Sequence, residues 1–395
     1  MTTGKIMAVS GNTAAAMGAA LCRPDLIAAY PITPQSSVVE YLAGLAANGQ
    51  IDSALVQVES EHSAMSVVQG AAASGGRVFT ATSAQGLALM YEPYFRMSTL
   101  RLPMVMALAC REMTSPETVW SGQQDSMSVR EAGWIQVYAE NNQEIMDMVI
   151  QGYRLAENPE VLVPVNVCYD GFFLSHLTER VVVPEQSMVD QYLAGSRPPE
   201  ALLDPKKPLS LDPMTPGNLL MKYRASHLEA LQRALVKLEE VDEEFQKAFG
   251  RSWGGAIETY RCEDATKVIL TIGSMTGTAR AAVDEARAQG LKVGLIKVRY
   301  MRPFPAKKIA AALKGKIAWA TIDRSVSFGW NSGPLFSETL AAVADSGEKT
   351  AHFSAIGGLG GADISLSDVK SVIGRLHEIQ DQPGSQPTVW LDKQI

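Results

Sequence analysis

Several polar side chains sit at the ends of apolar runs, where they could do chemistry. Glu61 lies in VQVESEHSAMSVVQG, where strand-like alternation turns into helical spacing through Met65, Val67 and Val68. A helix start favours an anion, because its free N–H groups and dipole point at it. Glu61 is thus either an ordinary first-turn acid or a carboxylate presented to a ligand. Arg111 follows LPMVMALA, a continuous apolar run that reads as a parallel strand covered on both faces. Its guanidinium fork suits a carboxylate, either a ligand's or that of a neighbouring acid. Thr33 stands between two prolines in Tyr30-Pro31-Ile32-Thr33-Pro34-Gln35. That stiff loop after a short strand is either a rigid connector or a ligand-binding edge. Ser83-Ala84-Gln85-Gly86 joins a strand to a helix and would put backbone N–H groups at the same edge. The segment EMTSPETVWSGQQDSM, carrying Trp120, Gln123, Gln124 and Asp125, is long enough to be a functional loop. His62 and His176 read as surface or structural histidines.

The elements that must position these groups alternate strand and helix, which predicts a doubly wound α/β domain over residues 1–180. Gly11 and Asn12 suit a turn, with Thr13 capping an alanine-rich helix. Strands are expected at 26–30, 77–82, 102–109, 135–138 and 161–168, and helices at 87–97, 129–134 and 142–157. Residues 181–259 read as a proline-rich connector lying along another surface, then a long polar helix from 218 to 249. That helix either packs on a domain or forms a coiled coil with a partner. Residues 260–395 read as a second, smaller α/β domain without obvious catalytic residues.

The totals exclude several classes. The 395 residues are 46% apolar and 19% charged, as in a water-facing globular protein with generous burial. The 32 glycines and 17 methionines point to tight backbone contacts or subunit interfaces. A net charge of −7 with no basic tract argues against nucleic acid and anionic membrane as partners. No apolar run is long enough for a bilayer and no signal-peptide pattern opens the chain, so the cytoplasm is expected. Cys22, Cys110, Cys168 and Cys262 are scattered, without a Cys-x-x-Cys pair, so no metal site is expected from them.

Blocks of sequence in consistent order carry a resemblance: Tyr30–Gln35, Val58-Glu59-Ser60-Glu61-His62-Ser63-Ala64, TATSAQGLALM, Gln124-Asp125, Gly133-Trp134-Ile135-Gln136, and Asp170-Gly171-Phe172 with Ser175-His176. Arg261-Cys262-Glu263-Asp264, Arg302-Pro303-Phe304-Pro305, Asp323-Arg324-Ser325 and Gly358–Gly361 with Asp363 continue it. Together they resemble the alpha subunit of pyruvate synthase, a multi-subunit 2-oxoacid:ferredoxin oxidoreductase. The resemblance implies a thiamine-diphosphate pyrimidine-binding domain followed by a transketolase-C-terminal-like domain. It implies oxidative decarboxylation of a 2-oxoacid with coenzyme A to acyl-CoA and carbon dioxide, with electrons passing to ferredoxin or a NAD-linked acceptor.

By the same resemblance the cofactor is shared with a beta subunit that holds the diphosphate and Mg2+. Gamma and ferredoxin-like delta subunits are the other partners, [4Fe-4S] clusters lie in partner subunits, and the whole is a dimer of heteromers. Glu61 matches the catalytic glutamate that bonds the pyrimidine ring nitrogen. Thr33 and Arg111 match the substrate-binding threonine and arginine. Pro31, Ile32, Gln85, Gly86 and Asp125 fall at cofactor-binding positions. Cys110 before Arg111, and Ser121-Gly122-Gln123 before Gln124-Asp125, depart from pyruvate-using members, which place Asn and Asp-His there. Pyruvate leads as substrate. A branched-chain or aromatic acid such as phenylglyoxylate is the second expectation, through a pocket opened at Gly122. An assembly subunit that has lost catalysis is the reading from another class.

Overall fold

The computed structural model describes residues 4–196, 202–347 and 349–391. Residues 1–3 of the N-terminal reading, 197–201 of the proline-rich connector and the chain's last four residues lie outside them. The first part of the chain runs β1 (Lys5–Ser10), α1 (Gly11–Leu21), β2 (Leu26–Ala29), α2 (Ser36–Ala47), β3 (Ala54–Gln57), α3 (Glu61–Ala73), β4 (Val78–Thr82), α4 (Ala84–Leu89), α5 (Tyr91–Thr99), β5 (Val105–Cys110), α6 (Gln124–Ser128), β6 (Ile135–Tyr138), α7 (Asn142–Ala156), β7 (Val165–Asp170) and β8 (Thr178–Val183). Then come α8 (Gln186–Tyr192) and the long helix α9 (Gly217–Phe249). The second part runs β9 (Ile257–Tyr260), β10 (Lys267–Thr271), α10 (Met275–Ala288), β11 (Val293–Val298), β12 (Tyr300–Arg302), α11 (Ala306–Leu313), β13 (Ala318–Asp323), α12 (Pro334–Val343), β14 (Ala351–Ile356), α13 (Leu366–Glu378) and the short β15 (Gly384–Ser385) and β16 (Val389–Trp390).

The first sheet has the order β12-β6-β7-β5-β4-β2-β3. Its strands are parallel except β12, which joins antiparallel to β6 from the far half of the sequence. The second sheet orders β15-β14-β13-β10-β11-β9 with β16 beside β14, and β9 runs antiparallel to β11. The doubly wound plan expected of the first half holds, and the second half is α/β as expected. The apolar run before Arg111 forms the centre of the first sheet, fully buried from Val105 to Cys110, because helices cover both faces of a parallel sheet.

One core lies under α1, α7, α8 and α9. Helix α7 is buried at 13 of its 15 residues, among them the polar Asn142, Glu144, Asp147 and Gln151, as a helix sandwiched between layers is. The alanines of α1 let it pack closely on α7, and a Cβ at Gly18 would meet the Met146 carbonyl oxygen at 3.0 Å. The opposite face of the first sheet packs into a core that continues through Val268, Leu270, Ile296, Val298 and Leu335 of the second half. The two halves thus share one apolar interior. Polar bonds reinforce it, with Glu144 of α7 bonding Lys297 Nζ at 2.7 Å and Arg299 Nε at 2.5 Å in a fully buried cluster.

Local readings shift in four places. Gly11 and Asn12 lie inside α1, and the cap is Ser10, whose hydroxyl accepts from Thr13 N; the helix therefore starts three residues earlier than a Thr13 cap would place it. The helix expected over 87–97 is two helices meeting at Met90. The helix expected over 129–134 falls at Gln124–Ser128 instead, and Gly133 at φ +80° belongs to the turn before β6. β8, in the stretch where the connector was expected to begin, pairs antiparallel with β1 over six residues. Helix α9 packs on α7 and α8 rather than leaving the body.

Candidate active-site edge

The carboxyl ends of β2, β3, β4 and β5 bring the sequence-predicted groups to one edge. Glu61 is the first residue of α3, whose cap Ser60 accepts from Ser63 N. Glu61 is 5% exposed, and burial raises its pKa above the ordinary carboxylate range, against the lowering effect of its own backbone N–H. Gly86 lies directly against it. A Cβ there would meet Thr82 Oγ1 at 2.4 Å and Glu61 Oε1 at 2.5 Å. A glycine is therefore required for α4 to approach the carboxyl.

Asp125 is wholly buried, and burial pushes its carboxyl up to about 7. Its Oδ2 accepts from the backbone N–H of Ala84 and of Arg111, each at 3.0 Å, and its Oδ1 from Ser126 N at 2.7 Å. Ala84 has φ +38°, a left-handed conformation that costs an L-residue about 1–2 kcal/mol. The Asp125 bond offsets that cost. One carboxylate thus ties the loop after β4 to the loop after β5.

Arg111 is 3% exposed. Its Nη1 donates to the Thr33 carbonyl at 2.6 Å and its Nη2 to Glu117 Oε1 at 3.0 Å. Its Nε is buried without a hydrogen-bond partner among the described residues. The Thr33 loop is fixed from behind. The Ile32 carbonyl accepts from Gln35 N at 2.7 Å, and Asn12 Nδ2 donates to the Pro34 carbonyl at 2.6 Å and the Ser37 hydroxyl at 2.8 Å. The Tyr169 hydroxyl donates to Asn12 Oδ1 at 2.8 Å, fixing that amide. Pro31 and Thr33 are exposed and Ile32 half-buried. Glu61, Gly86, Asp125, Arg111 and Thr33 thus form one chain of contacts, and Gln85 joins it through Glu117. His62 and His176 are exposed and outside it.

Three groups escaped the sequence reading. Glu117 accepts from Arg111, Gln85 and Thr114; its only sequence signal was an acid six residues after an arginine. Asn12 was read as a turn residue. Glu112 fills the space that Gly122 leaves, since a Cβ on Gly122 would meet Glu112 Oε1 at 2.1 Å. Burial, with Asp125 nearby, raises Glu112 to about 7 while Arg324 opposes the shift. The glycine at 122 accommodates a carboxyl group of this chain rather than opening a pocket. Cys110 is likewise fully buried in the core behind the edge. All four cysteines are free and buried.

The second half closes this edge from one side. Gln123 N donates to the Arg324 carbonyl at 3.0 Å, the Ser325 hydroxyl to Gln124 Oε1 at 2.8 Å, and Ser274 N to Asp170 at 2.9 Å. Buried polar atoms without partners collect along the same segment: Gln35 Nε2 and Oε1, Thr82 Oγ1, Gln85 Oε1, Arg111 Nε and Gln123 Oε1. Such atoms are rare in folded proteins, and each asks for a ligand or water. These donors and acceptors suit a polar ligand, with the Glu61 carboxyl at one end and the unpartnered Arg111 Nε at the other. Among the described residues no three His, Cys, Asp or Glu side chains are arranged to hold a metal ion, and no helix is long and apolar enough to cross a membrane.

The fold is a doubly wound α/β unit backed by a second α/β unit, with unpartnered buried polar atoms gathered at the carboxyl ends of its strands. Sequence comparison gives the family. The profile described as pyruvate flavodoxin/ferredoxin oxidoreductase, thiamine diphosphate-binding, matches residues 17–243, and that of pyruvate:ferredoxin oxidoreductase core domain II matches 265–369. The chain belongs to the pyruvate flavodoxin/ferredoxin oxidoreductase family. It is 45% identical to the alpha subunit of the NADH-dependent phenylglyoxylate dehydrogenase of Aromatoleum evansii, over 98% of this chain and 95% of that one. It is 42% identical to the pyruvate synthase subunit PorA of Methanocaldococcus jannaschii, over 98% of each. To the ketoisovalerate oxidoreductase subunit VorA of Pyrococcus horikoshii it is 42% identical, over 92% of each. The 2-oxoglutarate:ferredoxin oxidoreductase of Magnetococcus marinus superposes with a TM-score of 0.74 at 21% identity, over 95% of this chain and 66% of that one. A split-gene transketolase gives 0.56 over 95% of this chain and all of the other. At such low identity both likenesses speak for the fold.

Proposed function

We propose that this chain is the subunit carrying the pyrimidine side of a thiamine-diphosphate half-site in a cytoplasmic 2-oxoacid:acceptor oxidoreductase. The overall change converts a 2-oxoacid anion and the thiol of coenzyme A to acyl-CoA and carbon dioxide, releasing two electrons and one proton. Bound thiamine diphosphate would supply the carbanion-stabilising chemistry for decarboxylation. The observation that carries the reading is the Glu61 carboxyl. It is buried, shifted upward, and packed directly against Gly86, where no Cβ could stand.

Each residue then has a task. Glu61 would hydrogen-bond a ring nitrogen of the bound cofactor through its carboxyl. Gly86, Gln85, Pro31 and Ile32 line the cofactor's ring. Asp125 positions, fixing Ala84 and Arg111 through their backbone N–H groups. Arg111 presents its fork to the 2-oxoacid carboxylate, and Thr33 stands beside it. The diphosphate with Mg2+ belongs to a beta subunit and the iron–sulfur clusters to gamma and ferredoxin-like delta partners, in a dimer of heteromers. Electrons leave to ferredoxin or a NAD-linked acceptor.

Pyruvate is the leading substrate. Phenylglyoxylate is a second reading, supported by the similarity to the phenylglyoxylate dehydrogenase subunit along nearly the whole chain. The test uses the natively purified complex with coenzyme A and a one-electron dye, offered pyruvate, 2-oxoisovalerate and phenylglyoxylate. Glu61→Ala should abolish 2-oxoacid-dependent dye reduction while the complex stays assembled. Unchanged turnover in the assembled variant would sink the proposal.

A further inference from the structure

Arg111, read above as the seat of the substrate carboxylate, and its neighbour Gln85 both carry a carboxylate of the chain itself. Glu117 Oε1 accepts from Arg111 Nη2 at 3.0 Å and from Gln85 Nε2 at 3.1 Å, and its Oε2 from the Thr114 hydroxyl at 2.9 Å. The two partners differ in setting. The Arg111 side chain is 4% exposed, whereas that of Glu117 is 63% exposed on the loop after β5. The arginine is therefore fixed by the fold and the glutamate is free to leave into solvent. An ion pair this open to water is weak. An incoming carboxylate offers the same fork the same chemistry, and the neighbouring Nε, buried and without a partner among the described residues, gives it a second N–H that Glu117 does not take.

We propose that Glu117 occupies the substrate-carboxylate seat on Arg111 in the resting subunit and is displaced by the 2-oxoacid, so that it sets the substrate's apparent affinity. The proposal rests on the reading of Arg111 as that seat. No bond is made or broken. One charge-assisted hydrogen bond to Arg111 is exchanged for that of the substrate, and Glu117 moves into water together with Thr114 and Pro116 of its loop. Because Glu117 competes with substrate, its removal should tighten binding. A structural brace at the same position would do the opposite.

The experiment uses the natively purified complex with oxamate, a non-reacting carboxylate of pyruvate's shape, titrated by calorimetry, alongside the KM for pyruvate. Glu117→Gln and Glu117→Ala should lower both the oxamate Kd and the KM by about two- to fivefold, the range expected for losing an exposed ion pair as competitor. Unchanged or weaker oxamate binding in both variants overturns the proposal. Arg111→Met separates the two levels of the argument. If it binds oxamate as tightly as the parent, the seat itself is misplaced and both readings fail. If it loses oxamate while the Glu117 variants bind no better than the parent, only the role of Glu117 fails.

Discussion

Gly86→Ala tests the site's geometry through a single methyl group. On helix propensity alone the change should help, because alanine is favoured over glycine in a helix by about 1 kcal/mol. The structure reverses the sign. The new Cβ would sit 2.4 Å from Thr82 Oγ1, 2.5 Å from Glu61 Oε1 and 2.8 Å from Glu61 Cγ, where ordinary contact begins near 3.4 Å. To restore contact distance Glu61 Oε1 must retreat by about 0.9 Å and Thr82 Oγ1 by about 1.0 Å, or α4 must shift as a body. Overpacking of this kind costs about 1–3 kcal/mol. Displacing a catalytic group by about 1 Å can cost on the order of 100-fold in rate. The expected result is a folded, assembled complex with turnover down by about that factor and weakened thiamine diphosphate binding. The assays are dye-linked turnover at saturating cofactor, cofactor titration by calorimetry, and circular dichroism to confirm the fold. Parent-like turnover together with a parent-like cofactor Kd would refute the contact between Gly86 and Glu61 as the organising feature of the edge.

Two further perturbations follow from the same contacts. Glu144→Gln removes the acid shared by Lys297 and Arg299 in the interior. Lys297 keeps Glu140 at 2.9 Å and Arg299 keeps Glu258 at 3.6 Å, so the cost should fall below the about 3–5 kcal/mol of an uncompensated buried charge, read as a lowered Tm by scanning fluorimetry; a shift within error would show that the cluster is not holding the halves together. Although burial opposes it, the pair of cations lowers Glu144 to about 2. A depressed acid stabilises the fold above its ordinary pKa, so this contribution should be intact at neutral pH and lost as pH falls from about 4.5 toward about 2. The parent's acid unfolding should show that loss and the Glu144→Gln variant should lack it. Asn12→Ala strips the Pro34 carbonyl and the Tyr169 hydroxyl of their buried partner, at a cost of about 1–3 kcal/mol. It should loosen the Thr33 loop and raise the KM for the 2-oxoacid more than it lowers kcat. An unchanged KM would detach that loop from the substrate.

Much of the architecture was legible along the chain. The apolar run ending at Cys110 could only be a strand covered on both faces, and alternation with helical segments implied a doubly wound plan. Glu61, Thr33, Gln85, Gly86 and Arg111 each stood at a strand-to-helix or strand-to-loop junction, and local patterning marks such junctions because periodicity changes there. The family blocks named the chemistry, since they record order and spacing over nearly the whole chain. Cap positions and short helices were less legible, as the shifts at Gly11–Asn12 and Val129–Trp134 show. They turn on single side-chain bonds and one left-handed glycine rather than on period.

Only the tertiary structure decided what each polar group does. Asn12 reads as a turn former until Tyr169, distant by 157 residues, fixes its amide and lets it hold Pro34. Gly122 reads as lost bulk until Glu112 is seen to fill the space. Asp125 reads as a ligand-facing acid, yet both its oxygens are bound to backbone N–H groups. Glu117 is an unremarkable loop glutamate until it meets Arg111 and Gln85. Sequence fixes which groups exist and which strand ends they leave from, because those follow from local pattern. It leaves open which donor meets which acceptor, because those pairings are made by the closure of β2, β3, β4 and β5 into one sheet edge.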